Sequence, residues 1–463
     1  MATQAFPAVP PARRLSDIAP FLLLSLLAGC AGLTPASRTA SSPDTRIAPV
    51  REAALPITGE DRDYDPLIRM IGDSRIVLLG DATHGSHELY RERARVTERL
   101  IREKGFDAVV IEGDRQDADR VDRYVRGLGH DASAEQALAG FHDFPGWVWA
   151  NTDVRDFVEW LRGYNASRPA AGRASFHGMD LYGVVDSVDA VVSALDRLDP
   201  AAAAQARKRY ECFSRYRGDF PSYGQDVLQH PVRSCERQTV EELQDLRRLA
   251  ARAGADRREE LFAAVQNARV VRNGEAYYRL LAAGGVASWN LRDRHMASTL
   301  DDLATHLGAP GRPAKLVVWA HSSHLGDASK TQRADFGELN LGQIVRQRHP
   351  DAVLVGFTTY QGEVEAASVW GEKGELKQMR PAIRGSYTAL FHEAGIGDAL
   401  LLMRGNGELS QALAEPRPER AIGVLYHPLE ERRYHYVKTR LSRQFDAVVY
   451  FDQTRAVERL RAS

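Results

Sequence analysis

Short, unbroken apolar runs recur along this chain, separated by stretches with helical spacing. Arg75–Gly80 (RIVLLG) lacks the in–out alternation of a half-exposed strand, so it predicts a strand covered on both faces. The polar turn DATHGS follows, and from His87 the apolar positions return at helical spacing through Lys104. AVVIEGD (Ala108 to Asp114) predicts a second strand. Strand, helix and strand in this order form a right-handed crossover, which makes the two strands parallel. Further runs at Ser175–Leu181, Lys315–His321, Ala352–Tyr360, Ala421–His427 and Phe445–Asp452 add strands to the same sheet. The predicted class is α/β, a parallel-sheet core with helices on both faces.

The same pattern divides the chain. Core segments are expected over 61–183, 309–361 and 408–463. Residues 184–308 are almost wholly helical in periodicity and predict a helical subdomain inserted between strands. The mixed, glycine-containing stretch 362–407 predicts a smaller α+β piece near the C-terminus. The beginning differs from the rest: Arg13 and Arg14 precede an apolar run, Ile18–Leu27, that is too short to span a membrane comfortably and has the form of a signal peptide over 1–29. It ends in Leu-Ala-Gly-Cys, similar to the bacterial lipobox, which implies cleavage before Cys30 and lipidation of its thiol. Residues 30–60 begin rich in Ser, Thr, Ala and Pro and are expected to form a tether. The expected location is therefore periplasmic and membrane-anchored, with Ala31 after the lipobox tilting toward the outer membrane. Cys212 and Cys235 are then left as a pair in an oxidising compartment, where a disulfide is expected.

Composition narrows function mainly by exclusion. A formal net charge of -1 and a pI of about 6.9 lack the broad basic face that nucleic acid requires, so no nucleic-acid partner is expected. There is no Gly-x-Ser-x-Gly elbow, and His87-Glu88 starts a zincin-like motif that stops at Arg91. No phosphate-cradling glycine loop is present either.

Ligands of open parallel sheets bind beyond the carboxyl ends of the strands. Four predicted strands deliver polar groups there: Asp81 and His84, Glu112 and Asp114, Asp180, and His321 and His324. Arg93 lies on the apolar stripe with Leu89, Val96 and Leu100, so its guanidinium needs either a carboxylate partner or a route to water. Trp147, Trp149 and Asn151, where a loop turns into a helix, suit a large, partly apolar ligand. Carboxylates and histidines without an obvious nucleophile activate water, by general base catalysis or on a metal.

The motifs GDATHGSHE (Gly80 to Glu88), VVIEGD (Val109 to Asp114), WVWANT (Trp147 to Thr152), SWNLRDRHM (Ser288 to Met296) and VVWAHSSHLGD (Val317 to Asp327) together resemble the erythromycin esterase family. The resemblance runs in order from about Asp61 to Leu460. It implies hydrolysis of the macrolactone ester of macrolides without metal or other cofactor. In that scheme His84 is the general base, Asp81 and Glu112 orient it or hold the water, and His321 and His324 stabilise the oxyanion or protonate the leaving alkoxide. Arg93 gives electrostatic support, and Arg292 joins Trp147, Trp149, Asn151, Asp114 and Asp180 as candidate substrate contacts. The family usually carries glutamate where this chain has Asp81, one methylene shorter. Two other readings stay open: a metal-dependent hydrolase with His84, Glu112, His321 and His324 as ligands, and a lipid-anchored binding protein that has lost catalysis.

Overall fold

The computed structural model describes residues 44–142, 145–216, 218–309 and 311–460. The expected signal segment and Cys30 lie outside the described residues. The strands are β1 (Leu55–Pro56), β2 (Ile76–Asp81), β3 (Ala108–Ile111), β4 (Ser175–Gly178), β5 (Leu316–His321), β6 (Val353–Ala366), β7 (Glu375–Met379), β8 (Ala399–Leu402), β9 (Arg417–Arg420), β10 (Tyr436–Thr439) and β11 (Ala447–Thr454). Nine of them make one sheet in the order β1-β8-β11-β6-β2-β5-β3-β4, with β7 paired to the far end of β6. β11, β6, β2, β5, β3 and β4 run parallel. β9 and β10 form a separate antiparallel pair near the C-terminus.

The all-buried character of β2 and β5 follows from cover on both faces. Val77, Leu79, Val317 and Trp319 point to one side, against Leu89, Val96 and Leu100 of the helix His87–Lys104 and Phe157 and Leu161 of the helix Thr152–Ala166. Leu78, Leu316 and Val318 point to the other, against Met296, Leu300 and Leu303 of the helix Ala287–Leu307 and Leu341 and Val345 of the helix Leu341–Arg348. A strand with no solvent face has no reason to alternate.

Helices Val184–Leu198, Pro200–Tyr210, Phe220–Gln229, Glu236–Arg252 and Arg258–Ala283 pack around their own core, which includes Val191, Tyr223, Leu246 and Val271. The sulfurs of Cys212 and Cys235 are bonded there, with Cα atoms 6.0 Å apart. Helix Ala287–Leu307, grouped with the insertion on periodicity, lies on the sheet instead.

Three expectations need correction. The tether does not extend to residue 60, because Ile47–Ala53 is a helix with Val50 in the core and Leu55–Pro56 pairs with Leu400 and Ala399. The smaller piece near the C-terminus is the antiparallel β9–β10 pair, not residues 362–407. Those residues hold the end of β6, the polar edge strand β7, and β8, which sits inside the main sheet, so their mixed pattern reflects edge and core strands in succession. Ala421–His427 is extended but not a ladder strand, with single bridges Thr83–Ile422 and Ala367–Leu425, because β2 turns away into a loop at Ala82.

The disulfide closes a loop with a sequence separation of 23, for which the chain-entropy model gives about 3 kcal/mol of stabilisation. Cys212→Ser/Cys235→Ser protein is expected to unfold at correspondingly lower urea than the oxidised protein, with adding reductant to wild type reproducing the shift.

Candidate active site

The loop after β2 is held from three sides. Ala82 N–H donates to the Phe357 carbonyl at 2.8 Å, His84 N–H to Ile422 at 2.9 Å, and Ile422 N–H back to Ala82 at 2.8 Å. Gly85 adopts φ +73°, and a Cβ there would meet the Glu365 carbonyl oxygen at 2.1 Å, so neither the conformation nor the space admits a side chain. This fixes His84 over its own strand end, with Nδ1 2.9 Å from Asp81 Oδ2. Asp81 is fully buried, and its Oδ1 accepts from Arg93 Nη1 at 3.3 Å. Burial alone would raise the Asp81 carboxyl, but His84 and Arg93 hold it below its usual value. An ionised Asp81 only accepts, so His84 Nδ1 carries a proton toward it, and the other ring nitrogen, Nε2, lies 3.8 Å from Glu112 Oε2. Arg93 is itself fully buried, with its guanidinium over the rings of Tyr90 and Trp319 at 4.3 and 4.8 Å from their centroids. The core-facing arginine pairs; it does not snorkel.

Glu112, just past β3, is the second anchor. Its Oε2 accepts the His321 backbone N–H at 2.8 Å, and its Oε1 accepts from Arg292 Nη2 at 2.8 Å and lies 3.2 Å from His324 Nε2. Arg292 reaches in from helix Ala287–Leu307 and also donates through Nε to Asp180 Oδ1 at 2.8 Å. His324 places Nδ1 3.0 Å from both oxygens of Asp293. Burial disfavours the imidazolium, yet Asp293 and Glu112 outweigh it and lift His324 to about 9. Burial opposes ionisation of Glu112, but His324 and Arg292 keep it well below the usual carboxylate range. At neutral pH the cluster therefore sets the Asp81–His84 pair beside a cationic His324 and Arg292.

His321 sits between the two groups, its ring centroid 4.9 Å from that of His84. Ser323 N–H donates to His321 Nδ1 at 3.2 Å, so Nε2 bears the proton and points to the Ala82 carbonyl at 3.2 Å. Burial and then neighbouring His84 depress its proton affinity to about 4, which keeps it neutral.

Asp81, His84, Arg93, Glu112, Asp180, Arg292, His321 and His324 are thus brought together. Asp114 lies beside them at the start of helix Arg115–Val125 and accepts from Gly183 N–H at 3.0 Å, without capping that helix. Burial and then Asp180 push it up to about 8. The tryptophan segment is not part of the cleft. Trp149 is buried behind Glu112, donating to its carbonyl at 2.9 Å, and Trp147 is buried in the core. Asn151 is fully buried; it accepts from Val154 N–H at 3.0 Å as a helix cap and donates to Trp147 and Val148 carbonyls. These residues support the site from behind because alternating aromatics fit the layer between sheet and helix.

Two contributors escape a reading of strand ends. Asp293 charges His324, and Trp289 stacks on His324 with centroids 4.4 Å apart. Both come from a helix far away in sequence. The available signal was Arg292 and Asp293 on the buried face with Ser288 and Met296, the same anomaly that singled out Arg93.

The four side chains considered as metal ligands lie together, but most of their ligating atoms are engaged by other partners. Arg292 sits on Glu112, Asp293 occupies His324 Nδ1, and Ala82 and Ser323 occupy both ring nitrogens of His321. Among the described residues no group of three or more His, Cys, Asp or Glu side chains is placed to hold a metal ion.

Sheet and site together define a parallel α/β protein with a buried histidine–carboxylate cluster at its strand ends, a composition suited to acid–base chemistry. The profile of the Erythromycin esterase family matches residues 101–454, and the chain belongs to that family. It is 22% identical over 418 residues to Erythromycin esterase type II from Escherichia coli, covering 86% of this chain and 93% of that enzyme. Among solved structures, a succinoglycan biosynthesis protein shares the fold with a TM-score of 0.70 at 21% identity, over 89% of this chain and 97% of that one. An erythromycin esterase mutant in its open conformation gives 0.59 at 17% identity, over 85% and 94%.

His324 gains proton affinity on folding, so its stabilisation is complete below 6.5 and is lost as pH rises through about 9. Urea unfolding at pH 6, 8 and 10 should show wild-type stability falling across that window, and His324→Asn should lack the step.

Proposed function

We propose that this protein hydrolyses a carboxylic ester or lactone, macrolactones among them, by direct attack of water activated by His84. The observation that carries this reading is the Asp81–His84 pair: an ionised, buried carboxylate fixes the imidazole tautomer and leaves Nε2 as the base. Water seated against Nε2 and Glu112 Oε2 would lose its proton to His84 as it attacks the ester carbonyl. Arg292 and cationic His324 place positive charge where the tetrahedral oxyanion develops, and a preorganised charge in a buried site acts without reorganisation. His321 Nε2–H serves the leaving alkoxide. Family membership supports an esterase, and the small-molecule substrate class follows the named relatives.

Export and lipid attachment at Cys30 are part of the proposal. They are supported by the Arg13–Cys30 pattern and by a disulfide, which persists in oxidising compartments. Among the described residues no helix is long and apolar enough to cross a membrane. Cell fractionation should place the wild type in the membrane pellet and Cys30→Ala protein in the soluble periplasmic fraction; an unchanged distribution would refute the anchor.

Mass spectrometry of a panel of macrolides and simpler lactones should show water-added product, unaffected by EDTA. His84→Ala should lower kcat/KM by roughly 100- to 10,000-fold, the range of general base catalysis. Full activity in that variant, or loss of activity to EDTA, would overturn the mechanism.

A further inference from the structure

On the β6 side of β2, next to the cluster, lies a small cavity of about 40 Å³ whose lining includes Ala82, Ser323, Thr358 and Glu419. That is room for ordered water. Ser323 Oγ is 2.8 Å from His321 Nδ1, so one wall of this cavity is hydrogen-bonded to the histidine assigned to the leaving group. The lining also includes Glu419 of β9. Its Oε1 accepts from the Thr358 hydroxyl at 2.6 Å, while its buried Oε2 has no hydrogen-bond partner among the described residues.

A buried carboxyl with a bare oxygen is costly unless it serves some purpose or meets water. The charged and titratable groups facing Glu419 are few. Arg420 is adjacent, but its guanidinium is taken by Glu431 and by the carbonyls of Thr359, Tyr360 and Arg380. Tyr387 faces it from the helix Tyr387–Glu393. Burial therefore dominates and pushes Glu419 up to about 7. On its other side, His321 faces His84, Asp81, Glu112 and His324.

We propose that Glu419 is a positioning residue that stores the proton for His321, connected to it by cavity water and the Ser323 hydroxyl. The inference rests on the esterase reading of the site. As His321 Nε2 gives its proton to the leaving alkoxide, Nδ1 takes the Ser323 hydroxyl proton, Ser323 takes one from the water, and the water takes the Glu419 proton. One N–H and three O–H bonds break; one N–H and three O–H bonds form, the alkoxide becoming alcohol. His321 ends neutral with its tautomer reversed, Glu419 ends ionised, and solvent returns the proton. Among the described residues that line this cavity Glu419 is the one carboxylic acid, and His321 alone, being neutral, would be left an anion after donating.

The test separates this role from a structural one. Glu419→Gln keeps shape and hydrogen bonding but holds no transferable proton. With an alkyl and an aryl ester of the same acid, the alkyl-to-aryl ratio of kcat should fall about tenfold or more, since a phenolate leaves without a proton. Glu419→Asp should restore part of the ratio. An unchanged ratio would overturn the proposal, whether both rates fall together or neither does. Should wild-type protein hydrolyse neither ester, the esterase reading itself would fail, and a second measurement needs no turnover. In histidine-labelled protein the His321 ring nitrogens should shift with a midpoint near 7 in wild type and not in Glu419→Gln. Identical nitrogen titrations in the two proteins would sink it.

Discussion

One guanidinium determines what the rest of this site can be. Arg292 contacts Asp180, Glu112 and His324 from a single side chain; Asp180 and His324 are buried and the Glu112 side chain is 9% exposed. Charges out of water persist only when each is paired and its remaining hydrogen bonds are met. Arg292 answers Asp180 and half of Glu112; Glu112 and Asp293 in turn answer His324. A second, separate compensation joins Arg93 to Asp81 and Asp81 to His84. The site therefore contains two electrostatic units meeting at Glu112, one built on the buried Asp81 carboxylate and one that keeps positive charge in place.

The fold explains why the two units meet. β2 lies between β5 and β6, and β5 lies between β2 and β3, so the ends carrying Asp81, His321 and Glu112 are adjacent in space. The order of these strands in the chain differs from their order in the sheet, and each crossover supplies a covering helix. Two of those helices then reach back over the edge: Arg93 comes from the layer on one face, Arg292 and Asp293 from the layer on the other. Trp149 and Asn151, read from the sequence as substrate contacts, instead brace the Glu112 carbonyl and the turn that carries Trp147.

Much of this was legible from residue order, and the limits have physical causes. Unbroken apolar runs identified β2, β3, β5 and β11, because a strand covered on both faces needs no polar positions. The edge strand β7 and the β9–β10 pair were missed, since exposed or polar strands lose that mark and Pro418 argues against one. Helix Ile47–Ala53 was hidden beneath a composition that suits a tether; only its docking at Val50 stabilises so short a segment. Strand-end polarity located Asp81, His84, Glu112, His321 and His324 because the chemistry of a parallel sheet has a fixed edge.

By itself the sequence determined the class of fold, the strand ends that carry polar groups, and which residue types were anomalous on apolar stripes. Such features are local: periodicity and residue chemistry report on burial one segment at a time. The tertiary structure alone decided that Asp293 charges His324, that Trp149 stands behind Glu112 instead of lining the cleft, and that Glu419 borders a cavity shared with Ser323. Those are relations between side chains from distant segments. Proton affinity depends on distances and burial that exist only after the chain has closed around these groups.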